Sequence, residues 1–366
     1  MNVTTPTVLL DQSRTLSKID QMVQKARALG MGLRPHFKTH QSAEVARWFL
    51  AAGVRKATVS SVQMARYFVD AGWNDLTIAF PINYREWPEI SQLADRAHIN
   101  VILTCPEALP LLLYHQGANL GIFLKIDVGY HRTGFDPQSK IAITHCLDQL
   151  QSHPNYTFKG FLSHAGHTYA CRTRQAIIQV HGQALGIMQR LKEIYHPKHP
   201  DLILSMGATP SCSVADNWQE VDEMRPGNFV FYDLTQVAIG SCEVTDVSVC
   251  LACPVVAKHG DRKTIVVYGG GVHLSKDRLA WRGTTIYGRP VKLDDQGWAD
   301  PDDESYVTSL SQEHGVVQAS DALFQTVQIG DLIGILPVHS CMMCDLMKSY
   351  HLLPDGAVVS MMSKEY

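Results

Sequence analysis

No run of about 18 consecutive apolar residues occurs in this chain, so a membrane-spanning helix is not expected. Met1 to Asp11 carries no basic segment followed by a long apolar stretch, so it does not read as a secretory signal, and the expectation is a cytoplasmic protein. Excess positive charge is also missing. Lys and Arg number 32 against 35 Asp and Glu, a net charge of -3, and without a basic field nucleic acid is not an expected partner. Nine cysteines, an odd number scattered through a long chain, do not make a complete disulfide framework. Reduced thiols or metal ligands are the better reading. No internal repeat and no low-complexity linker is present.

What remains is the composition of an ordinary globular protein, 45% hydrophobic and 18% charged. At 366 residues the chain exceeds the roughly 250 to 300 at which single cores stop growing, which predicts one large domain and a smaller one. A first helical stretch places Leu16, Ile19, Val23, Ala26 and Leu29 on roughly one face. Strand-like runs then alternate with helical patterns for about 200 residues. The strand candidates are Leu33 to Phe37, Ala57 to Ser60, Leu76 to Phe80, Asn100 to Leu103, Gly121 to Ile126, Phe158 to Ser163, Leu202 to Ser205 and Val221 to Met224. Ala43 to Ala52, Gln63 to Ala71, Pro88 to Ala97, Lys140 to Gln151 and Arg174 to Tyr195 are the helical stretches between them. Eight strands with crossovers predict an α/β fold, a closed parallel (β/α)8 barrel of the TIM type, with an open doubly wound sheet as the alternative. Beyond about Asp233 the pattern turns β-rich, at Val244 to Ala257, Thr264 to Tyr268 and Leu332 to Leu336. The expected division is a barrel over 12–235 and a mainly β domain over 1–11 and 236–366, with Thr7 to Leu10 joining the β domain.

In such barrels the reactive residues stand on the loops after the strands. The first strand ends in Arg34, His36, Lys38 and His40, and the fifth in Lys125, Asp127, Gly129, Arg132 and Gly134. The sixth ends in His164, Gly166, His167 and Tyr169, the seventh in Gly207 to Ser211, and the eighth in Arg225 to Asn228. All five clusters would share one rim. Lys38, flanked by apolar strand residues and polar neighbours, is the first candidate for a nucleophilic amine, although a lysine at a strand end is often merely exposed. Lys125 competes, but Asp127 nearby is expected to favour its charged form. Gly207-Ala208-Thr209 and Gly227-Asn228 offer backbone amides and a hydroxyl where barrels hold phosphate, or are tight turns.

The sharpest local signal is His339-Ser340-Cys341, followed by Cys344 and Asp345 as rival ligands. Imidazole and thiolate together suit zinc, and on an extended segment residues two apart face the same way. Two or three protein ligands fit a catalytic ion with an open position. Gly269-Gly270-Gly271 followed by His273 lacks the context of a dinucleotide site and reads as a close backbone approach, while Met342-Met343 and Met361-Met362 read as core filling.

Taken together, Arg34-Pro-His-Phe-Lys38-Thr-His, Gly207-Ala-Thr-Pro-Ser, Arg225-Pro-Gly-Asn228 and His339-Ser-Cys341 resemble the D-serine dehydratase and D-threonine aldolase family of fold-type III pyridoxal-phosphate enzymes, related to alanine racemase. The resemblance implies a barrel plus a β domain, a homodimer, pyridoxal 5'-phosphate on Lys38 as its Schiff-base lysine, Tyr169 against the cofactor, and Thr209, Gly227 and Asn228 at its phosphate. Arg132 joins these as a cofactor-binding candidate, and His164 and Tyr169 join Lys38 as catalytic candidates. His339 and Cys341 resemble the dehydratase branch and its Zn2+, whereas the aldolases carry histidine and aspartate. The implied reaction is β-elimination of water from a D-3-hydroxyamino acid, giving a 2-oxo acid and ammonia. Retro-aldol cleavage to glycine and an aldehyde, racemisation, and a non-catalytic pyridoxal-phosphate carrier are the alternatives. Some dehydratases have a tyrosine seven residues before the position of Tyr169, where this chain has Leu162, which leaves the choice of D-3-hydroxyamino acid open.

Overall fold

The computed structural model describes residues 3–294 and 296–363. They form two compact units, one of residues 20–38 and 46–227, the other of the segment up to Ile19, Thr39–Val45 and the segment from Asn228 onward. Residues 12–19, 39–45 and 228–235, expected with the barrel, thus lie in the β-rich unit.

The chain opens with β1 (Thr7–Asp11), which belongs to the β-rich unit. The barrel strands follow as β2 (Gly32–Leu33), β3 (Ala57–Val59), β4 (Asp75–Pro81), β5 (His98–Leu103), β6 (Leu120–Ile126), β7 (Tyr156–Ser163), β8 (Ile203–Met206) and β9 (Glu223–Met224). Their spatial order is β2-β9-β8-β7-β6-β5-β4-β3, with every neighbouring pair parallel. The ends join through a parallel bridge between His36 and Thr58, supported by Phe37 N donating to Thr58 O at 2.9 Å. That bridge decides for a barrel over an open sheet. Parallel strands covered by helices are apolar nearly throughout, and all seven residues of β6 are buried. Leu162, Ile102 and Phe123 form one buried cluster, with Ile203 packed against it.

Helices lie where the periodicity predicts them, and local chemistry starts them. Ser61 accepts a hydrogen bond from Met64 N at 3.1 Å and caps the helix Val62–Asp70. Thr173 caps Arg174–Tyr195 in the same way, and that helix buries Ile177, His181, Ala184, Leu185, Met188, Leu191 and Tyr195 along one stripe. The first helix, Gln12–Ala28, buries Ile19, Val23 and Ala26, but Leu16 is exposed, so the apolar face is narrower than the pattern implied. The short helices Leu109–Tyr114 and Thr209–Val214 leave no mark in the sequence pattern. At six residues each they fall below the length at which periodicity is legible.

In the other unit, β10 (Val249–His259) pairs antiparallel with β1, with Thr264–Tyr268 and with Leu332–Pro337. On its far side β1 runs parallel to Ser349–Leu353, so the N-terminal strand lies inside the sheet rather than at its edge. A Cβ on Gly269 or Gly270 would collide with Cys253 Sγ or Gln312 O, which bears out the reading of the glycine run as a close backbone approach. Among the described residues no helix is long and apolar enough to cross a membrane.

Candidate active site

Phe37 and Lys38 divide the work at the end of the first barrel segment. The Phe37 ring is fully buried against Phe49, Phe68 and Trp73, with centroids 5.3, 4.8 and 4.7 Å away, while Lys38 beside it is exposed. Backbone bonds from His36 N to Pro226 O and from Phe37 N to Thr58 O fix the segment on both sides. The lysine therefore stands on a rigid base.

Lys125 departs from expectation. It is buried, and its amine donates to Thr133 O. Burial first, then the charges of Arg132 and Arg225, outweigh Asp127 and push its pKa down to about 8. Neighbour charge alone was the wrong guide, because desolvation is the larger effect.

His164 Nδ1 donates to the carbonyl of Gly207 at 3.0 Å. Burial, together with the charges of Lys38, Arg225 and Arg132, pushes its pKa down to about 3 against the pull of that bond, so the ring is neutral and Nε2 keeps its lone pair. Gly207 has φ +154, and a Cβ there would lie 2.6 Å from Arg225 N. Thr209, at the start of its short helix, accepts from Gly227 N at 3.2 Å. The two loops read as phosphate binders are thus brought together. Ser211 Oγ, Ser163 Oγ and His167 Nδ1 are buried near these strand ends without a hydrogen-bond partner among the described residues. Buried polar atoms left open in this way are what an anionic, hydrogen-bonding cofactor satisfies, so the residues present fit pyridoxal phosphate. Arg132 is exposed, with its guanidinium 5.1 Å from the centre of the Tyr130 ring. Tyr169 lies half-buried in the turn Gly166–Ala170.

Two features escaped the sequence reading. Tyr130 stacks near His167 and meets His164 edge-on, with centroids 6.3 and 5.9 Å apart. A polar chain also runs through the barrel: Arg225 Nε to Ser205 Oγ at 2.8 Å, Ser205 Oγ to Glu223 Oε1 at 2.6 Å, Arg34 Nε to Glu223 at 3.0 Å, and Arg34 Nη1 to Asp75 Oδ1 at 2.6 Å. Arg34 stands far in sequence from the stretch Glu223 to Arg225, and only the pairing of β2 with β9 makes them partners.

The metal motif sits in the β-rich unit at a junction. The strand Leu332–Pro337 ends, His339 remains extended at φ -138, and a helix begins at Ser340 and runs to Met347. The expectation of an extended His339–Cys341 segment is therefore corrected. The side chains of His339 and Cys341 converge nonetheless and share a hydrogen bond. His339 Nδ1 lies 3.1 Å from Asp277 Oδ2. Burial works to lower the His339 pKa, but the bonds to Asp277 and Cys341 and the charges of Cys341 and Asp233 raise it to about 11. Cys341 Sγ lies 3.2 Å from the hydroxyl of Thr39, the residue after Lys38 in sequence, and 3.6 Å from Asn228 Nδ2. The same Asn228 amide donates to Asp233 and to Ser340 Oγ, at 2.7 and 2.9 Å, while its Oδ1 is buried without a partner among the described residues.

Both rival ligands have partners of their own. Cys344 is buried and bonded to Tyr350, and Asp345 accepts from Gln41 Nε2 and Lys348 Nζ at 3.0 and 2.7 Å. Among the described residues no three His, Cys, Asp or Glu side chains converge to hold a metal. One imidazole with a carboxylate behind it and one sulfur fit a zinc ion whose remaining positions stay open.

Residues 10–234 match the family described as "Alanine racemase, N-terminal domain". The chain belongs to that family. Residues 248–353 match "Putative serine dehydratase domain". The D-serine dehydratase of Dictyostelium discoideum is 29% identical over 96% of this chain and 94% of its own length, and the D-threo-3-hydroxyaspartate dehydratase of Delftia sp. (strain HT23) is 28% identical over 98% and 96%. The solved structure of the Delftia enzyme superposes with a TM-score of 0.91 at 26% identity, covering 100% of this chain and 99% of that one. Further structures of that dehydratase carry alanine for one histidine or for a cysteine two positions later, the cysteine variant in the metal-free form. A D-threonine aldolase of Arthrobacter sp. stands further off, at 24% identity. Dehydratases and aldolases of this kind are lyases.

Proposed function

We propose that this chain is a pyridoxal-phosphate- and zinc-dependent lyase that removes water from a D-3-hydroxyamino acid, giving a 2-oxo acid and ammonia. The observation that carries this reading over the aldolase is the His339 and Cys341 pair, a nitrogen and a sulfur that select a soft ion. The related dehydratase was altered at a histidine and a cysteine with the same two-residue spacing.

Lys38 is the covalent anchor of the cofactor, and its amine is the group assigned to take the α-proton of the substrate. Thr209, with the Gly227 and Asn228 peptides, holds the phosphate, and Arg132 and Tyr169 flank the cofactor. His164, neutral because it is buried, accepts or relays a proton at Nε2 without repelling the cations around it. When bound, pyridoxal phosphate supplies an electron sink for the α-carbon and zinc a Lewis acid for the β-hydroxyl. His339 and Cys341 hold that ion and leave positions for the hydroxyl to enter. By the same family likeness the enzyme works as a homodimer, and size-exclusion chromatography at the mass of one chain would count against this.

The test is turnover of D-serine, D-threonine and D-threo-3-hydroxyaspartate with and without chelator. Ammonia and a 2-oxo acid, lost on chelation, are expected. Glycine as product would favour the aldolase, and elimination insensitive to chelator would remove zinc from the reaction. Borohydride reduction and peptide mapping should label Lys38. A label on Lys125 would move the anchor.

A further inference from the structure

We infer that Asp277 is a positioning residue of the metal centre, holding His339 in the one tautomer that presents Nε2 to a zinc ion. The inference rests on the zinc reading above and concerns a residue outside the His339-Ser-Cys341 motif.

A neutral imidazole has one donor and one acceptor nitrogen, and the partner of the first decides which face of the ring binds metal. Here Nδ1 lies 3.1 Å from Asp277 Oδ2, an acceptor-only group when ionised, so in the neutral ring that a metal requires Nδ1 keeps the proton and Nε2 offers the lone pair. A carboxylate in this position also makes the imidazole a better ligand and stops its rotation. Asp277 does not itself complete a group of three converging metal-binding side chains, so the structure gives it an orienting role rather than a coordinating one.

The carboxylate is in turn fixed. Ser275 Oγ donates to Asp277 Oδ2 at 3.0 Å and accepts from Asp277 N at 3.2 Å. Ser275 adopts φ +67, a left-handed conformation costly for a residue with a Cβ and kept only where surrounding structure imposes it. It ends the short helix Gly271–Leu274, whose start is tied by Gly270 N donating to His273 Nδ1 at 3.1 Å. That helix packs on Ser340–Met347, which carries Cys341. The glycine run with no dinucleotide role thus begins the segment that delivers Asp277 to the metal motif.

The experiment compares zinc affinity of the holoenzyme, by competition with a chromophoric chelator, in Asp277→Ala, Asp277→Asn, Ser275→Ala and His339→Ala. Cofactor absorbance reports that each variant is folded and loaded. Asp277→Ala is expected to weaken zinc about 10- to 100-fold, Asp277→Asn less because its amide oxygen still accepts from Nδ1, and Ser275→Ala least. Cofactor absorbance should not change. Cobalt-substituted Asp277→Ala should show altered d–d bands, which a purely structural role would leave in place. Zinc affinity within twofold of the parent in Asp277→Ala and Ser275→Ala, beside a lost site in His339→Ala, overturns the positioning role. Undiminished zinc in His339→Ala overturns the zinc reading itself, and the positioning role with it.

Discussion

Single residues at this site behave according to how far water is excluded from them. His40 is fully buried, and burial pushes its pKa down to about 3 while its Nδ1 accepts from Ser42 N at 3.2 Å. Unfolded, the ring titrates near 6.5. Below that pH the unfolded chain binds a proton that the folded chain refuses, so stability is expected to fall as pH drops from about 6.5 toward 3, and to be flat above. Melting temperature against pH checks this, and His40→Asn, which keeps an acceptor for Ser42 N, should flatten the acid slope. Gly207 is the second residue whose role can be read directly. At φ +154, with Arg225 N 2.6 Å from the place of a Cβ, Gly207→Ala is expected to destabilise the barrel by about 1–3 kcal/mol and to weaken cofactor binding. Thermal denaturation and cofactor titration would measure both, and an unchanged pair would contradict the tight approach.

At the scale of elements, one carboxylate starts two helices. Asp233 Oδ1 accepts from Gln236 N at 3.0 Å, capping Leu234–Ala238, and Oδ2 accepts from Ser340 N at 3.0 Å, at the head of the helix that bears Cys341. The Asn228 amide bonds the same Oδ2 at 2.7 Å. Burial raises the pKa of this carboxyl, against the His339 charge and these hydrogen bonds, so the network is the compensation for its desolvation. Asp233→Ala leaves buried donors unpaired at both helix starts. It is expected to cost about 1–3 kcal/mol and to lower zinc content, whereas Asp233→Asn retains part of each. Melting curves and metal analysis of the two variants decide it. This element was half legible. His339 and Cys341 stood out by residue type, but the turn from strand to helix between them depends on Asp233, about 100 residues earlier by subtraction of their numbers, and no local pattern reports it.

For the whole molecule, the two ends of the chain share one sheet. β1 pairs antiparallel with β10, from Thr7 opposite Ala252 to Leu10 opposite Val249, and parallel with Ser349–Leu353. An interior strand satisfies two rows of backbone groups, so removing it opens both neighbours to aggregation. A chain shortened to begin at Gln12 is expected to be insoluble, or to melt at least 10 °C lower, while the same chain supplied with a peptide of the first 11 residues should regain part of the loss. A shortened chain as stable as the parent would show that the strand is dispensable.

Local residue order was enough to read the barrel and the β-rich unit, because strands buried on both faces leave short apolar runs and amphipathic helices a 3.6-residue period. The expected strands Leu76 to Phe80 and Gly121 to Ile126 lie within β4 and β6, and Lys140–Gln151 is helical as read. Residue type alone also drew attention to Lys38, Thr209, Gly227, His339 and Cys341. Tertiary structure decided what surrounds them. Burial rather than the nearby Asp127 governs Lys125, and the buried Arg34–Glu223–Ser205–Arg225 chain assembles only when β2, the first barrel strand, pairs with β9, the last. Asp277, 62 positions before His339, fixes its ring. Long-range electrostatics and desolvation depend on distances in space, and these are set by packing of the whole chain rather than by spacing along it.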